Sequence, residues 1–201
     1  MNYTGPKVKL SRALGIPLTP KAARVMEKKP HPPGAHGNTQ TFRRKMSDYK
    51  RQLVEKQKLR AQYNIHERQL RNYFQKALKA SGNTGENLLR LLELRLDVVV
   101  LRGGLACTIY AARQYVSHKH ILVNGNPVNI PSYGVKVGDV ITVKPKSQPL
   151  ACFRETVVEA QPIAYLMLDK AHLAITVLAE PQREAIPVIS DLSQVVEFYS
   201  R

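Results

Sequence analysis

The stretch Thr108-Ile109-Tyr110-Ala111-Ala112-Arg113-Gln114-Tyr115-Val116-Ser117-His118-Lys119-His120-Ile121-Leu122-Val123-Asn124-Gly125 changes its hydrophobic period part-way along. Up to His118 the apolar residues Ile109, Ala112, Tyr115 and Val116 recur at helical spacing, with Thr108 as the N-cap and Arg113 projecting from another face. From Ile121 the pattern is strand, then an Asn-Gly turn, then a second run at Val128-Asn129-Ile130. A further turn at Gly138-Asp139 leads into Val140-Ile141-Thr142-Val143. Two helices followed by a small antiparallel sheet therefore form a compact unit from about 92 to 146, and the fold class is α+β.

Working back from that unit, Leu88, Leu89, Leu92 and Leu96 mark a buried helical face, opened by Thr84 as N-cap after the break Ser81-Gly82-Asn83. A helix from about Glu67 to Ala80 places Leu70, Tyr73, Phe74, Ala77 and Leu78 on one stripe and Arg68, Arg71, Lys76 and Lys79 elsewhere. Ser47 and Asp48 read as cap and acidic first turn of a densely basic helix to about Tyr63. Residues 1–46 are rich in Pro and Gly and read as a basic extended arm without a core of its own. Beyond Ser147, apolar runs at 163–168 and 173–178 predict two more strands, and a short helix over Leu192 to Tyr199 closes the chain.

The charge is distributed as unevenly as the structure. The 201 residues carry a net +16. Residues 1–80 hold 19 Lys+Arg against 4 Asp+Glu, and residues 81–201 hold 12 against 11, so nearly all the excess lies in the first part. A segment so one-sided repels itself unless a polyanion neutralises it, which points first to nucleic acid. Overall apolar content of 43% is ordinary, so the chain also folds. Cys107 and Cys152 have neither disulfide-scaffold nor zinc spacing and read as reduced core residues. No apolar run is long enough to span a bilayer and no signal-like N-terminus is seen, so the expected location is cytoplasmic.

Hydrolytic chemistry would need a nucleophile beside a base, and the sequence has no GxSxG, HExxH or GxxxxGK[ST] pattern. Asp97 and Asp139 read as cap and turn residues. His31 and His36 lie in a Pro/Gly loop with no Cys, Asp or Glu to complete a metal site, so no metal and no cofactor are expected; base stacking or phosphate bonding suits them better. His118 and His120 flank a helix end beside Lys119, where RNA contact and simple C-capping both fit.

Several ordered motifs resemble the bacterial-type ribosomal protein S-four family. They are Lys29-Pro30-His31-Pro32-Pro33-Gly34-Ala35-His36-Gly37, Glu55-Lys56-Gln57-Lys58-Leu59-Arg60, Thr84-Gly85-Glu86-Asn87-Leu88-Leu89, Arg95-Leu96-Asp97 and Ala112-Arg113-Gln114. His120-Ile121-Leu122-Val123-Asn124-Gly125, Asn129-Ile130-Pro131-Ser132-Tyr133, Gly138-Asp139-Val140-Ile141 and Glu197-Phe198-Tyr199-Ser200-Arg201 continue the series. Val8 and Ser11 stand where zinc-binding members open their cysteine site, so the chain resembles the cysteine-free form. Thr108-Ile109-Tyr110 replaces a stretch that is commonly basic.

The resemblance implies an arm at 1–46, a helical domain at 47–91 completed by about 183–201, and an inserted S-four RNA-binding module at 92–182. It implies a structural, non-enzymatic constituent of the small ribosomal subunit that binds the 5′ domain of its ribosomal RNA, nucleates assembly and contributes to translational accuracy. Ribosomal proteins S-three and S-five and the incoming messenger RNA are the implied neighbours, with neither membrane nor small-molecule substrate. Charge and resemblance together nominate Lys7, Lys9, Arg12, His31, His36, Arg43, Arg44, Lys45, Lys50, Arg51, Lys56, Lys58, Arg60, Arg68, Arg71, Arg113, His118, Lys119, His120 and Asn124 as RNA-binding residues. RNA-modifying enzymes that carry the same module are the competing class, and they need a large catalytic domain for which the roughly 55 residues after 146 leave little room. A general RNA chaperone is the third reading.

Overall fold

The computed structural model describes residues 3–35, 37 and 46–200. The chain forms two compact units, one from residues 1–75 with 188–201 and one from 76–187.

In the first unit, α1 (Lys7–Leu14) and α2 (Pro20–Lys28) precede α3 (Asp48–Gln62) and the greater part of α4 (Glu67–Lys79), whose last residues belong to the second unit, and α9 (Leu192–Tyr199) returns from the far end of the chain. The Ser47 hydroxyl accepts from the Lys50 amide and so satisfies one free donor at the start of α3. Asp191 caps α9 by accepting from the Ser193 amide. Polar bonds tie α9 to α3 and α4: Gln52 Nε2 donates to Glu197 at 2.8 Å, and Tyr199 Oη donates to Glu67 at 2.8 Å. Phe74 stacks on Tyr199 with ring centroids 4.8 Å apart.

The second unit holds α5 (Thr84–Glu93), α6 (Leu96–Arg102), α7 (Ile109–Ser117) and α8 (Ala151–Val158) with five strands. These are β1 (Ile121–Val123), β2 (Asn126–Pro127), β3 (Val140–Val143), β4 (Leu166–Asp169) and β5 (Ala174–Val177). The sheet is antiparallel in the order β2-β1-β3-β5-β4. Its register puts Val123 opposite Ile141 and Ile141 opposite Ile175, so alternate residues line one inner face. That face packs on Leu96, Val99 and Val100 of α6, on Ala112 and Val116 of α7 and on Phe153 of α8. Each fully buried Val, Leu or Phe contributes about 1.5–3 kcal/mol, which is what holds so short a sheet together.

Several expectations are corrected. The arm is not extended where it is described: Pro6 flanks the start of α1, Pro20 sits at the first turn of α2, and Gly15 takes the left-handed conformation that ends α1. The helix breakers thus punctuate helices instead of preventing them. Ile16 and Ala22 are buried, so this segment does bury apolar surface. Asn83, not Thr84, caps α5, accepting from the Gly85 amide. Leu78 is 55% exposed and lies off the stripe. Asn129 and Ile130 lie outside the strands, whose second member is Asn126–Pro127. Cys107 is exposed and not a core residue; both cysteines are free. Helix α8 was not foreseen, because Ala151-Cys152-Phe153-Arg154-Glu155-Thr156-Val157-Val158 has three β-branched residues and no capping side chain.

Candidate nucleic-acid interface

Helix α4 divides its residues by face. Leu70 and Phe74 are buried, while Arg68, Arg71, Lys76 and Lys79 are exposed. The i, i+4 spacing that builds the apolar stripe therefore leaves cations standing in water, which suits a helix that packs on protein and meets phosphate with the other side. On α3, Lys50 and Arg51 are exposed, with Arg51 3.2 Å from Asp48. Arg60 is half-buried, 4.0 Å from Glu67.

Other nominated cations turn inward. Lys56 is buried, bonded to Glu67 at 2.8 Å and set 4.3 Å over the Phe198 ring. Lys58 pairs with Glu55 at 2.7 Å. Burial pushes the Glu67 carboxyl up, but its bonds to Lys56 and Tyr199 outweigh this and hold it below the usual carboxylate range. Burial and the Glu67 carboxylate push the Tyr199 hydroxyl up. Arg12 donates to the carbonyls of His31 at 2.9 Å and Pro32 at 3.4 Å, fixing the Pro-rich loop to α1. Lys9 is exposed, and Lys7 and His31 are half-buried. His36, Arg43, Arg44 and Lys45 lie outside the described residues.

In the second unit Arg113 does not project. It bonds Asp97 at 3.0 Å, and Arg95 clasps the same buried carboxyl through Nε at 3.1 Å and Nη2 at 2.8 Å. Burial raises the Asp97 pKa, and the two guanidinium groups oppose it. Beside the clasp, backbone bonds fix the 131–135 loop to the α5–α6 junction: the Leu96 and Asp97 amides donate to the Tyr133 and Pro131 carbonyls. A second buried carboxylate, Glu93, takes Arg102 at 3.0 Å and the Tyr165 hydroxyl at 2.7 Å. Asn124 serves the hairpin: its φ is 50°, it donates to Asp139 at 2.9 Å and it accepts from the Val140 amide at 2.9 Å. His118 and Lys119 are exposed, and the half-buried His120 ring bonds the Ser147 hydroxyl at 2.8 Å.

The model of the ribosomal protein S4/S9 N-terminal domain matches residues 2–93, and that of the S4 domain matches residues 94–141. The small ribosomal subunit protein uS4 of Thermobifida fusca is 47% identical over 205 residues, covering 100% of both chains. Those of Beutenbergia cavernae and Bifidobacterium animalis subsp. lactis are each 49% identical, covering 97% and 100% of this chain and 96% and 99% of theirs. This chain belongs to the uS4 family.

Within this uS4 chain, sequence reasoning passed over Lys144 and Lys146. Both are exposed, and the register of β1 against β3 sets Lys144 beside His120, whose carbonyl accepts from the Lys144 amide at 2.8 Å. The only sequence signal was the Lys144-Pro145-Lys146 spacing, which says nothing of where the segment lies. Among the described residues of this uS4 chain, no group of three or more His, Cys, Asp or Glu is placed to hold a metal ion. No helix among them is long and apolar enough to cross a membrane.

Proposed function

We propose that the chain is a structural, non-enzymatic constituent of the small ribosomal subunit that binds the 5′ domain of its ribosomal RNA and nucleates assembly. The observation that carries this reading is the split face of α4, with Leu70 and Phe74 buried and Arg68, Arg71, Lys76 and Lys79 exposed, in a chain of the uS4 family. Each exposed cation that meets a phosphate releases a counterion, so affinity comes from their number and spacing more than from any single bond. The residues nominated by charge that remain exposed, Lys9, Lys50, Arg51, Arg68, Arg71, His118 and Lys119, are the proposed contacts. Lys56, Arg12 and Arg113 support the surfaces that carry them.

The finer assignment follows the family resemblance: neighbours S-three and S-five, a place near the path by which messenger RNA enters, a contribution to translational accuracy, and a cytoplasmic location. The division into a helical domain at 47–91 with about 183–201 and an S-four module at 92–182 remains part of the proposal; in its support, the chain has one compact unit of residues 1–75 with 188–201 and another of 76–187. The test is sedimentation of cell extract on a sucrose gradient with immunodetection of the chain. It should travel with small subunits and whole ribosomes and leave them only at high salt. Recovery solely at the top of the gradient at low salt would refute the proposal.

A further inference from the structure

We propose that Cys107 and Cys152 form a modification site that exchanges with a low-molecular-weight disulfide, Cys107 reacting first from solvent and Cys152 then closing an internal Cys107–Cys152 bond. This chemistry is separate from RNA binding.

Three observations carry it. First, the fold of the second unit brings together the two cysteines of the chain, which are far apart in sequence. Cys107 lies between α6 and α7, one residue before the Thr108 cap, and its Sγ is 3.2 Å from Thr156 Oγ1 on α8. Thr156 stands one helical turn beyond Cys152 and donates to the Cys152 carbonyl at 2.7 Å. Residues four apart on a helix share a face, with Cβ atoms about 5–6 Å apart, so the Thr156 hydroxyl sets Cys107 beside the face that carries Cys152.

Second, Tyr115 of α7 senses both thiols. Its side chain is hydrogen-bonded to Cys152. Burial pushes the Tyr115 hydroxyl up to about 12, and Cys152 and Cys107 add to the rise, so both sulfur atoms lie within electrostatic reach of one phenol oxygen.

Third, the two thiols differ in access. Cys107 is exposed, whereas Cys152 is half-buried against the hydrophobic core of its unit. An accessible thiol beside a shielded one is the arrangement in which one sulfur meets the reagent and the other resolves the product.

The exchange transfers two electrons. The Cys107 thiolate attacks one sulfur of the small disulfide and expels a first small thiolate; the Cys152 thiolate attacks the Cys107 sulfur and expels a second. Two protein thiols and one small disulfide thus become one protein disulfide and two small thiols, which take up the two thiol protons. Closure ties the start of α7 to the first turn of α8 and removes entropy from the unfolded chain, so the oxidised form is the more stable.

The test uses purified full-length protein and oxidised glutathione, with the reaction stopped by acid and the remaining thiols alkylated. Trypsin cuts after Arg102, Arg113, Lys146 and Arg154, so a closed pair joins peptide 103–113 to peptide 147–154. The expected product is that joined peptide, with no retained glutathione and a melting temperature above that of the reduced protein. Cys152→Ser, which lacks the resolving thiol, should trap one glutathione on Cys107. In Cys107→Ser, Cys152 should react roughly tenfold more slowly than Cys107 does in the other variant.

Two thiols still free after oxidation would overturn the proposal, as would glutathione retained on Cys107 of the unmodified protein with Cys152 alkylated. A joined peptide that comes from a dimer on a non-reducing gel, or that forms only in urea, would refute a bond within the native chain. Equal rates for the two serine variants would remove the division of roles between the thiols.

Discussion

Lys56 Nζ lies 2.8 Å from Glu67 Oε1, with the lysine side chain only 6% exposed and its ammonium over the Phe198 ring. A cation in the most basic part of the chain is thus spent on joining α3 to α4 and α9. Lys56→Ala should leave the Glu67 carboxylate without its main partner and destabilise the protein by about 1–3 kcal/mol. The salt slope of RNA binding should not change. Urea unfolding and filter binding of the one variant check both halves; a lowered slope with unchanged stability would return Lys56 to the RNA surface.

The same cluster gives the stability of the first unit a pH dependence. Glu67 has its pKa depressed in the folded state, so its contribution is complete above its unfolded value near 4.3 and is lost as pH falls through the lower folded value. Tyr199 has its pKa raised, so its contribution is complete below about 10 and is lost as pH rises through the higher folded value. Glu67→Gln should flatten the fall in urea midpoint below about pH 5, and Tyr199→Phe the fall above about pH 10. Parallel curves for variant and parent would remove Glu67 or Tyr199 from the account.

Asp97 is the hinge of the second unit's polar core. Asp97→Asn removes the carboxylate shared by Arg95, 1% exposed, and Arg113, and should cost about 3–5 kcal/mol in urea unfolding. Arg113→Gln, which leaves the Arg95 fork in place, should cost less. The reverse order would mean that Arg113 is the principal partner.

The helix periods, the strands at Ile121, Val140, Leu166 and Ala174, the caps at Ser47 and Thr108 and the terminal helix were legible because each rests on local pattern. The hairpin role of Asn124 was legible from its Asn-Gly turn, whereas the inward pairing of Lys56 and Arg113 was not, because charge says what a residue can do while only tertiary pairing says which partner reaches it first. Asp97 reads in sequence as a cap residue beside Arg95, and its buried pairing with Arg113, 16 residues on, was not legible because only the tertiary fold brings the two together. The arm misled for a related reason: Pro and Gly at helix ends have the same composition as Pro and Gly in a coil.

Gly104 tests the packing of α6 on the strands. Its φ is +84°, and an added Cβ would lie 2.4 Å from the Ala160 side chain. Gly104→Ala combines backbone strain with a steric clash and should cost about 1–3 kcal/mol by thermal or urea unfolding. A change below about 0.5 kcal/mol would show that the 103–105 turn relaxes freely.

The split of cations between surface and core makes a direct comparison possible. Arg68→Glu with Arg71→Glu, both exposed on α4, should weaken RNA binding more than tenfold and lower the salt slope by roughly 1.5, with the circular dichroism spectrum unchanged. An unaltered Kd at equal salt would move the grip away from α4.

The most direct test of the central claim is crosslinking in cells followed by sequencing of the RNA bound to the chain. Reads should concentrate in the 5′ domain of small-subunit ribosomal RNA and fall away in the Arg68→Glu, Arg71→Glu variant. Reads spread over transfer and messenger RNAs, with no enrichment in that domain, would contradict the account.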